Sequence, residues 1–383
     1  MKSVGIITTF RQPNFGSVLQ AFALQYVIEK MGYDVKVIDY KYPNEFHWKA
    51  GAKHGRRKIT LRNRLGDVKR YLQLHLHLRK LTKMEKLNKF IEVEMKCTAF
   101  YPSRESIVNH PPIFDIYISG SDQIWNPNTM FGDMSYMFDF APQNSIRIAY
   151  SSSFSCDSIP EKYMDVYRKN LSKFKAIGVR ESNGLALIKK ITGRTDARLV
   201  LDPTLLLTKE QWNEYALKSD ELLLPPKFIL FYMLAYTYSP EDKMSEILSF
   251  MQQKYKLPIV SLSPCPRGFN GEFIRIEQTE SIGNYEFLQL FMKSEMVVTS
   301  SFHGTAFSLN FGKPFLALEN GKSRSDDRIS SLLNAVGLTS QLLFTNTELT
   351  ENITPYYNVE DGQIQLDKLR ALSLDFLKTS LQE

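Results

Sequence analysis

The stretch MVVTSSFHGTAFSLNFGKPFLAL, residues 296–318, holds a strand, a polar turn, a short helix and a second strand. Met296, Val297 and Val298 form an apolar run without alternation, as a strand covered on both faces requires. Thr299, Ser300 and Ser301 form a sharp polar turn, and Ala306, Phe307 and Leu309 open the helix that follows. Gly312, Lys313 and Pro314 end that helix, and residues 315–318 open the next strand. In open parallel sheets ligands gather at the carboxyl ends of the strands, which is where His303 lies. The first N–H groups of the helix have no intrahelical partner, so the turn is an anion site with an imidazole at its mouth. The competing reading is a histidine that only braces the turn.

The same alternation extends toward both termini. Residues 4–8, 35–39, 114–119, 146–151, 176–179 and 198–201 read as strands, with helical patterns over 17–31, 164–174 and 184–191. A pause around Asp202-Pro203-Thr204 and the polar residues 209–220 precede a second series of strands at 228–232, 258–262, 296–299 and 315–318. The expectation is an α/β protein of two Rossmann-like domains facing a cleft, one over residues 1–205 and one over 206–383, the second carrying the His303 motif. The first β-to-α loop, residues 9–16, is longer than packing needs. It has neither G-x-G-x-x-G nor G-x-x-x-x-G-K-[ST], so a dinucleotide or P-loop site is not supported.

At 383 residues, 43% hydrophobic and 12% aromatic, the chain has ample material for two cores. Cys97, Cys156 and Cys265 show no metal-ligand or disulfide spacing, which suits a reducing compartment and no metal. The amino terminus reads as a first strand and not as a signal peptide. The longest apolar run, residues 228–236, is nine residues, well short of the roughly 20 that span a bilayer. A cytoplasmic protein is therefore expected. Charge is uneven: residues 49–96 hold fifteen Lys and Arg against four Asp and Glu, a balance of +11 in a chain of net +7, so the remainder carries −4. Leucines at near-helical spacing make this a basic helical insert. It suits either a solvated face packed on the domain or attraction to an anionic membrane surface, at the inner face of the membrane, or to a diphosphate-linked lipid. No nucleic acid is expected, because RRM, helix-turn-helix and zinc-finger signatures are lacking.

Other segments carry more polar specificity than a core needs. Ser119-Gly120-Ser121-Asp122-Gln123-Ile124-Trp125-Asn126-Pro127 follows a buried strand. Ser121, Asp122 and Gln123 offer donors and acceptors for sugar hydroxyls, with Trp125 as a stacking face, although a turn and helix cap would explain the first two. Tyr150 to Phe154 runs a strand into small hydroxyls. Arg180, ending Ile177-Gly178-Val179, offers a bidentate grip on carboxylate or phosphate, or a structural ion pair with Glu181 or a nearby Asp. Lys322, Arg324 and Arg328 concentrate cations after the last of these strands, where a charged surface loop is the alternative.

Taken in order, these pieces resemble the polysaccharide pyruvyl transferase family: residues 14–24 (NFGSVLQAFAL), 120–127 (GSDQIWNP), the 150–154 strand end, Val179-Arg180-Glu181, Leu201-Asp202-Pro203-Thr204, and Ser301-Phe302-His303-Gly304-Thr305-Ala306-Phe307 with Lys313-Pro314-Phe315. The resemblance implies the two-domain, GT-B-like architecture of many glycosyltransferases, and transfer from phosphoenolpyruvate to a sugar of a polysaccharide or its precursor as a pyruvate ketal. The acceptor is a sugar, lipid-linked or free, and no cofactor is implied. By resemblance Arg180 grips the donor and His303 is its acid/base or a phosphate ligand. Asn14, Gly16, Ser121, Asp122, Gln123, Trp125, Ser301, Lys313, Arg324 and Arg328 would bind substrate. Many relatives carry an Arg two residues before this His, where the present chain has Ser301; Lys313, Arg324 or Arg328 would have to supply the missing cation. The alternatives are a nucleotide-sugar glycosyltransferase, whose generic acidic and aromatic groups would be Glu319 and Tyr236, and a non-catalytic glycan-binding protein.

Overall fold

The computed structural model describes residues 1–41, 81–130, 132–235, 238–279, 281–323 and 325–382. The greater part of the basic insert, with Tyr236 and Arg324, lies outside the described residues. Among the described residues, twelve strands form two six-stranded sheets in which every pairing is parallel. The first contains β1 (Ser3–Ile7), β2 (Asp34–Val37), β3 (Ile116–Ser119), β4 (Ile146–Ser152), β5 (Ala176–Val179) and β6 (Arg198–Leu199), in the order β2-β1-β3-β4-β5-β6. The second contains β7 (Ile229–Tyr232), β8 (Ile259–Ser261), β9 (Phe273–Arg275), β10 (Met296–Thr299), β11 (Phe315–Glu319) and β12 (Leu342–Phe344), in the order β12-β11-β10-β7-β8-β9. The short strands β9 and β12 escape the periodicity because three residues at a sheet edge carry too little apolar pattern.

Each order reverses direction once, between β1 and β3 in the first sheet and between β7 and β10 in the second. Such reversal points open a crevice at the carboxyl ends of the strands, because the connections on either side leave toward opposite faces. The loops that leave these four strands are residues 8–14, 120–126, 233–235 and 300–301. Three of the four therefore contain motifs singled out in the sequence, and the fold brings them to one place.

The halves are joined by an apolar contact. Phe15 stacks on Phe287 with centroids 4.8 Å apart, and Phe307 meets both Phe287 at 5.5 Å and Trp212 at 5.4 Å. All are buried in one continuous core. The helix Lys83–Glu94 adds a strap: Phe90 packs on Phe22 of the first half and Tyr285 of the second, while Lys86 pairs with Glu286 and Lys83 with Glu277. This described part of the basic insert thus has a packed apolar face, Leu87, Phe90 and Ile91, and cations already paired across the interface.

The end of the chain departs from the expected division. The helix Val359–Gln382 touches the second half at its start, where Gln363 Nε2 donates to Leu309 O at 2.6 Å. It then crosses to the first sheet, where Leu201 N–H donates to Ser373 Oγ at 3.0 Å and Phe376 lies against Tyr150 and the bare face of Gly178. Amphipathic spacing forecasts a buried stripe on such a helix but not which sheet receives it.

Candidate active site

The helix Phe302–Asn310 is buried along its whole length, which its mostly small or apolar residues permit, His303 and Asn310 being the larger polar ones. Ser301 caps it, its Oγ accepting from Gly304 N–H at 3.2 Å. Gly304 is required by close approach: a Cβ there would fall 2.2 Å from Thr299 Oγ1, at the end of β10. By helix geometry the N–H groups of Phe302 and His303 remain without intrahelical partners at the cleft. On the facing half, Asn14 caps the helix Phe15–Lys30, its Oδ1 accepting from Gly16 N–H at 2.9 Å and Ser17 N–H at 3.3 Å. A Cβ on Gly16 would lie 2.2 Å from Cγ and Nδ1 of His303, so the imidazole of one half rests on the bare backbone of the other.

Behind the ring lies a buried ionic cluster. Asp202 Oδ2 is 3.7 Å from His303 Nε2, 3.0 Å from Arg180 Nη1 and 2.7 Å from Ser121 Oγ, which donates to it. Its other oxygen accepts from Thr204 N–H at 3.0 Å and Thr204 Oγ1 at 2.7 Å, so the carboxylate is fully engaged. Burial opposes its charge, but His303, Arg180 and Ser121 hold it well below the ordinary carboxylate range. Asp122 is treated likewise: burial raises it, while Arg180, His303 and the Ser17 hydroxyl bring it below its usual value. Its backbone adopts φ +73°, a left-handed conformation that Asp tolerates better than most residues. That twist lets Oδ2 accept from Thr9 Oγ1 at 3.0 Å and Ser17 Oγ at 2.7 Å, tying the β1 and β3 loops together.

These groups wall a cleft of about 200 Å³ between the halves. Asn14, Asp122, Gln123, Ser301, His303 and Arg328 line it, as do Thr9, Gln12, Ser17, Ser300, Tyr238, Glu319 and Asp326. Arg328 is the guanidinium among the described lining residues, and it is engaged twice. Its Nε and Nη2 donate to Asp326 at 2.6 Å each. With its amide oxygen turned that way, Gln123 accepts from Nη1 and Nη2 at 2.8 and 2.9 Å. Although burial opposes it, the Asp326 charge raises the Arg328 guanidinium above its usual value, so it stays charged.

Several expected positions differ. Arg180 does not line the cleft: its side chain is 1% exposed, sits with its guanidinium 4.4 Å from the Phe302 ring centroid, and borders a smaller neighbouring cavity. Its charge reaches the cleft through Asp202 and Asp122. Ser121 is likewise buried behind the wall, committed to Asp202. Trp125 offers no stacking face. It is fully buried, edge-on to Phe154 and Phe174 at 5.4 and 5.5 Å, because the turn closed by Asn126 N–H donating to Gln123 O at 3.2 Å carries it into the first half's core. Lys313 precedes β11, at the amino end of the sheet, a strand's length of roughly 13 Å from the carboxyl-end cleft. Conversely, Asp202 stands at the site without having been given a role there, and Glu319, named only for the glycosyltransferase alternative, lines the cleft. An Asp followed by Pro and Thr reads as a cap, and a carboxylate closing an apolar strand is the weak signal that marked Glu319. Among the described residues no three His, Cys, Asp or Glu side chains converge as a metal cage would require.

A profile described as polysaccharide pyruvyl transferase matches residues 14–322, about four-fifths of the sequence. The chain belongs to the polysaccharide pyruvyl transferase family. The matched span runs from the Asn14 cap to Lys322 and takes in Asp122, Gln123, Ser301, His303 and Glu319 of the cleft, while Thr9, Gln12, Asp326 and Arg328 lie outside it. No curated protein matches the sequence. Among solved structures, a putative UDP-N-acetylglucosamine 2-epimerase from Listeria monocytogenes is 12% identical, with 99% of this chain and 91% of that one covered and a TM-score of 0.50. S. aureus MnaA, solved with UDP, is 13% identical over 96% and 88% with a TM-score of 0.49, and Arabidopsis thaliana UGT89C1, solved with quercetin, is 10% identical over 99% and 93% with a TM-score of 0.41. At such identities the likeness concerns the fold, which is GT-B-like. Among the described residues, no helix is long and apolar enough to cross a membrane.

Proposed function

We propose that this cleft transfers the pyruvyl group of phosphoenolpyruvate to two hydroxyls of a sugar, forming a cyclic ketal and releasing phosphate. The observation that carries the reading is His303, set at the mouth of the cleft against a buried, ionised Asp202, in a chain of the pyruvyl transferase family. Nε2 faces the carboxylate, which orients the ring and favours a proton on that nitrogen, while Nδ1 lies on the side of Gly16. In this reading His303 takes the proton of the first attacking hydroxyl and returns it to the departing phosphate. No metal or cofactor is called upon.

The donor brings a carboxylate and a phosphate. Arg328 and the free N–H groups of Phe302 and His303 are the described anion contacts, and Ser301 leaves the helix N-terminus open where many relatives place an Arg. Arg180 supports them from behind and does not grip the donor, since two carboxylates stand between it and the cleft. The polar wall of Thr9, Gln12, Asn14 and Asp122 suits a sugar, which needs many fixed donors and acceptors.

Titration with phosphoenolpyruvate and, separately, with nucleotide sugars tests this reading, because a ligand bound only to the native state raises the melting temperature. Stabilisation by phosphoenolpyruvate, with phosphate released when a sugar acceptor is added, is expected. Stabilisation by a nucleotide sugar alone would establish the glycosyltransferase alternative.

A further inference from the structure

Ketal formation moves more protons than one imidazole handles. The C3 methylene of the donor must gain a proton, while each of two sugar hydroxyls must lose one. A second group able both to give and to take a proton has to face the same cleft. Glu319 is placed for this. It ends β11, which pairs with β10 in the register Thr299↔Ala317. The Ser301 and His303 turn follows β10, and Glu319, Ser301 and His303 all line the one cleft. The side chain lines the cleft although the residue is 8% exposed, and its Oε1 accepts from Ser330 N–H at 2.9 Å.

Its surroundings differ from those of the other cleft carboxylates. Asp122 and Asp202 answer to Arg180 and His303, and Asp326 to Arg328. Among the described residues Glu319 has no cation of its own: burial, seconded by the Asp326 charge and opposed by the Ser330 and Ile329 N–H groups, pushes its carboxyl up to about 7. The charged and titratable groups around it are Asp326 and Arg328, on the segment that follows β11, and Tyr238, which donates to Leu318 O at 2.9 Å. His303 and Asp122 line the same cleft. Two groups whose environments differ in this way divide acid and base roles between them.

We infer that Glu319 is a second catalytic residue, the acid that protonates C3 of the enolpyruvyl donor and the base that later receives the proton of the second hydroxyl. The inference rests on the phosphoenolpyruvate reading above. The C2=C3 π pair takes the proton from Glu319, forming the C3–H bond and leaving C2 electron-poor. The first hydroxyl oxygen bonds to C2 as its proton passes to His303. The C2–O bond to phosphate then breaks with its electron pair on the phosphate oxygen, which takes the proton from His303. The second hydroxyl closes the ketal at C2 and its proton restores Glu319. One hydroxyl proton thus ends in the new methyl group and the other on phosphate, and no oxidant or reductant is needed.

Phosphate release from phosphoenolpyruvate, measured with a sugar acceptor across pH 5.5 to 9, tests the assignment in wild type, Glu319→Gln and Glu319→Asp. Because the acid form must be present, wild-type kcat is expected to fall as pH rises through about 7. Glu319→Gln retains the Oε1 acceptor for Ser330 and is expected to lose roughly 10² to 10⁴ in kcat and the alkaline limb, with the phosphoenolpyruvate thermal shift retained. Glu319→Asp keeps an acid one methylene further back and should lose about 10-fold or more in kcat while keeping the limb. Near-wild-type kcat with an intact limb in Glu319→Gln, or unchanged kcat in Glu319→Asp should the Gln variant not fold, overturns the inference while leaving the donor reading in place. Failure of the donor reading shows instead in the wild type, as no phosphate release with any acceptor, and removes the inference with it.

Discussion

Gly16→Ala isolates the contact on which the site depends. Gly16 is the second residue of a regular helix with no positive φ, so alanine meets no backbone strain there and gains helix propensity of up to about 1 kcal/mol. What the new methyl meets is the imidazole: it would lie 2.2 Å from Cγ and Nδ1 of His303, where carbon contacts settle near 3.5 Å or more. The ring must retreat by roughly 1.3 Å, or the halves must part by as much. Overpacking of this kind costs about 1–3 kcal/mol, partly offset by the helix gain, so the melting temperature should shift by a few degrees at most. A misplacement near 1 Å lowers rate by about 10², or some 2.7 kcal/mol of transition-state stabilisation. The assay is phosphate release from phosphoenolpyruvate, with calorimetry on the same samples. A kcat/KM within threefold of wild type would refute the argument, because it would mean that the ring need not sit where Gly16 allows it.

His303→Gln and His303→Ala should each lose about 10² to 10⁴ in turnover with little change in melting temperature; substantial turnover in the Gln variant would make His303 a ligand and not a proton carrier. Arg180→Ala leaves Asp202 charged and buried without its guanidinium, so denaturant titration should show a loss of about 3–5 kcal/mol, and a wild-type midpoint would contradict the buried cluster. Calorimetry against pH should find two opposite effects. Asp122, Asp202 and Asp326, lowered in the fold, contribute stability that is present above the unfolded carboxyl value near 3.9 and lost as pH falls through their lower folded values. Glu319, raised to about 7, contributes stability that is full below its unfolded value and lost as pH rises through 7, so Glu319→Gln should gain on the order of 3 kcal/mol relative to wild type between pH 5 and 8. If residues 49–96 attract an acidic membrane, vesicle binding should require anionic lipid and weaken with salt, since exposed charges are screened over about 8–10 Å; salt-independent binding would contradict this.

Much of the architecture is legible along the chain because parallel strands buried on both faces are short apolar runs, and residues 4–7, 116–118 and 296–298 are of that kind. The His303 turn is legible for a related reason: strand, polar turn, helix and glycine stop are local signals that neighbouring residues determine together. Trp125 shows where local reading fails. Its polar neighbours Ser121 to Gln123 do reach the cleft or its wall, but within the turn that follows, two residues later, the chain points into the core, and no periodicity reports that change of direction. Arg180 shows another limit. An arginine at a strand's end has the same signature whether it meets a ligand or an aspartate, and here it meets Asp202, 22 residues away, and the Phe302 ring from the other half.

The sequence by itself determined the α/β class, the strands at the centre of both sheets and the presence of His303 at a strand's carboxyl end, since each follows from side-chain pattern within a few residues. Which sheet the last helix covers, which aspartate orients the histidine and which glycine admits its ring were decided only by tertiary structure. These depend on two strand-order reversals brought face to face by the Phe15, Phe287, Phe307 and Trp212 contact, and Gly16 and His303, 287 positions apart, touch only because that apolar interface closes.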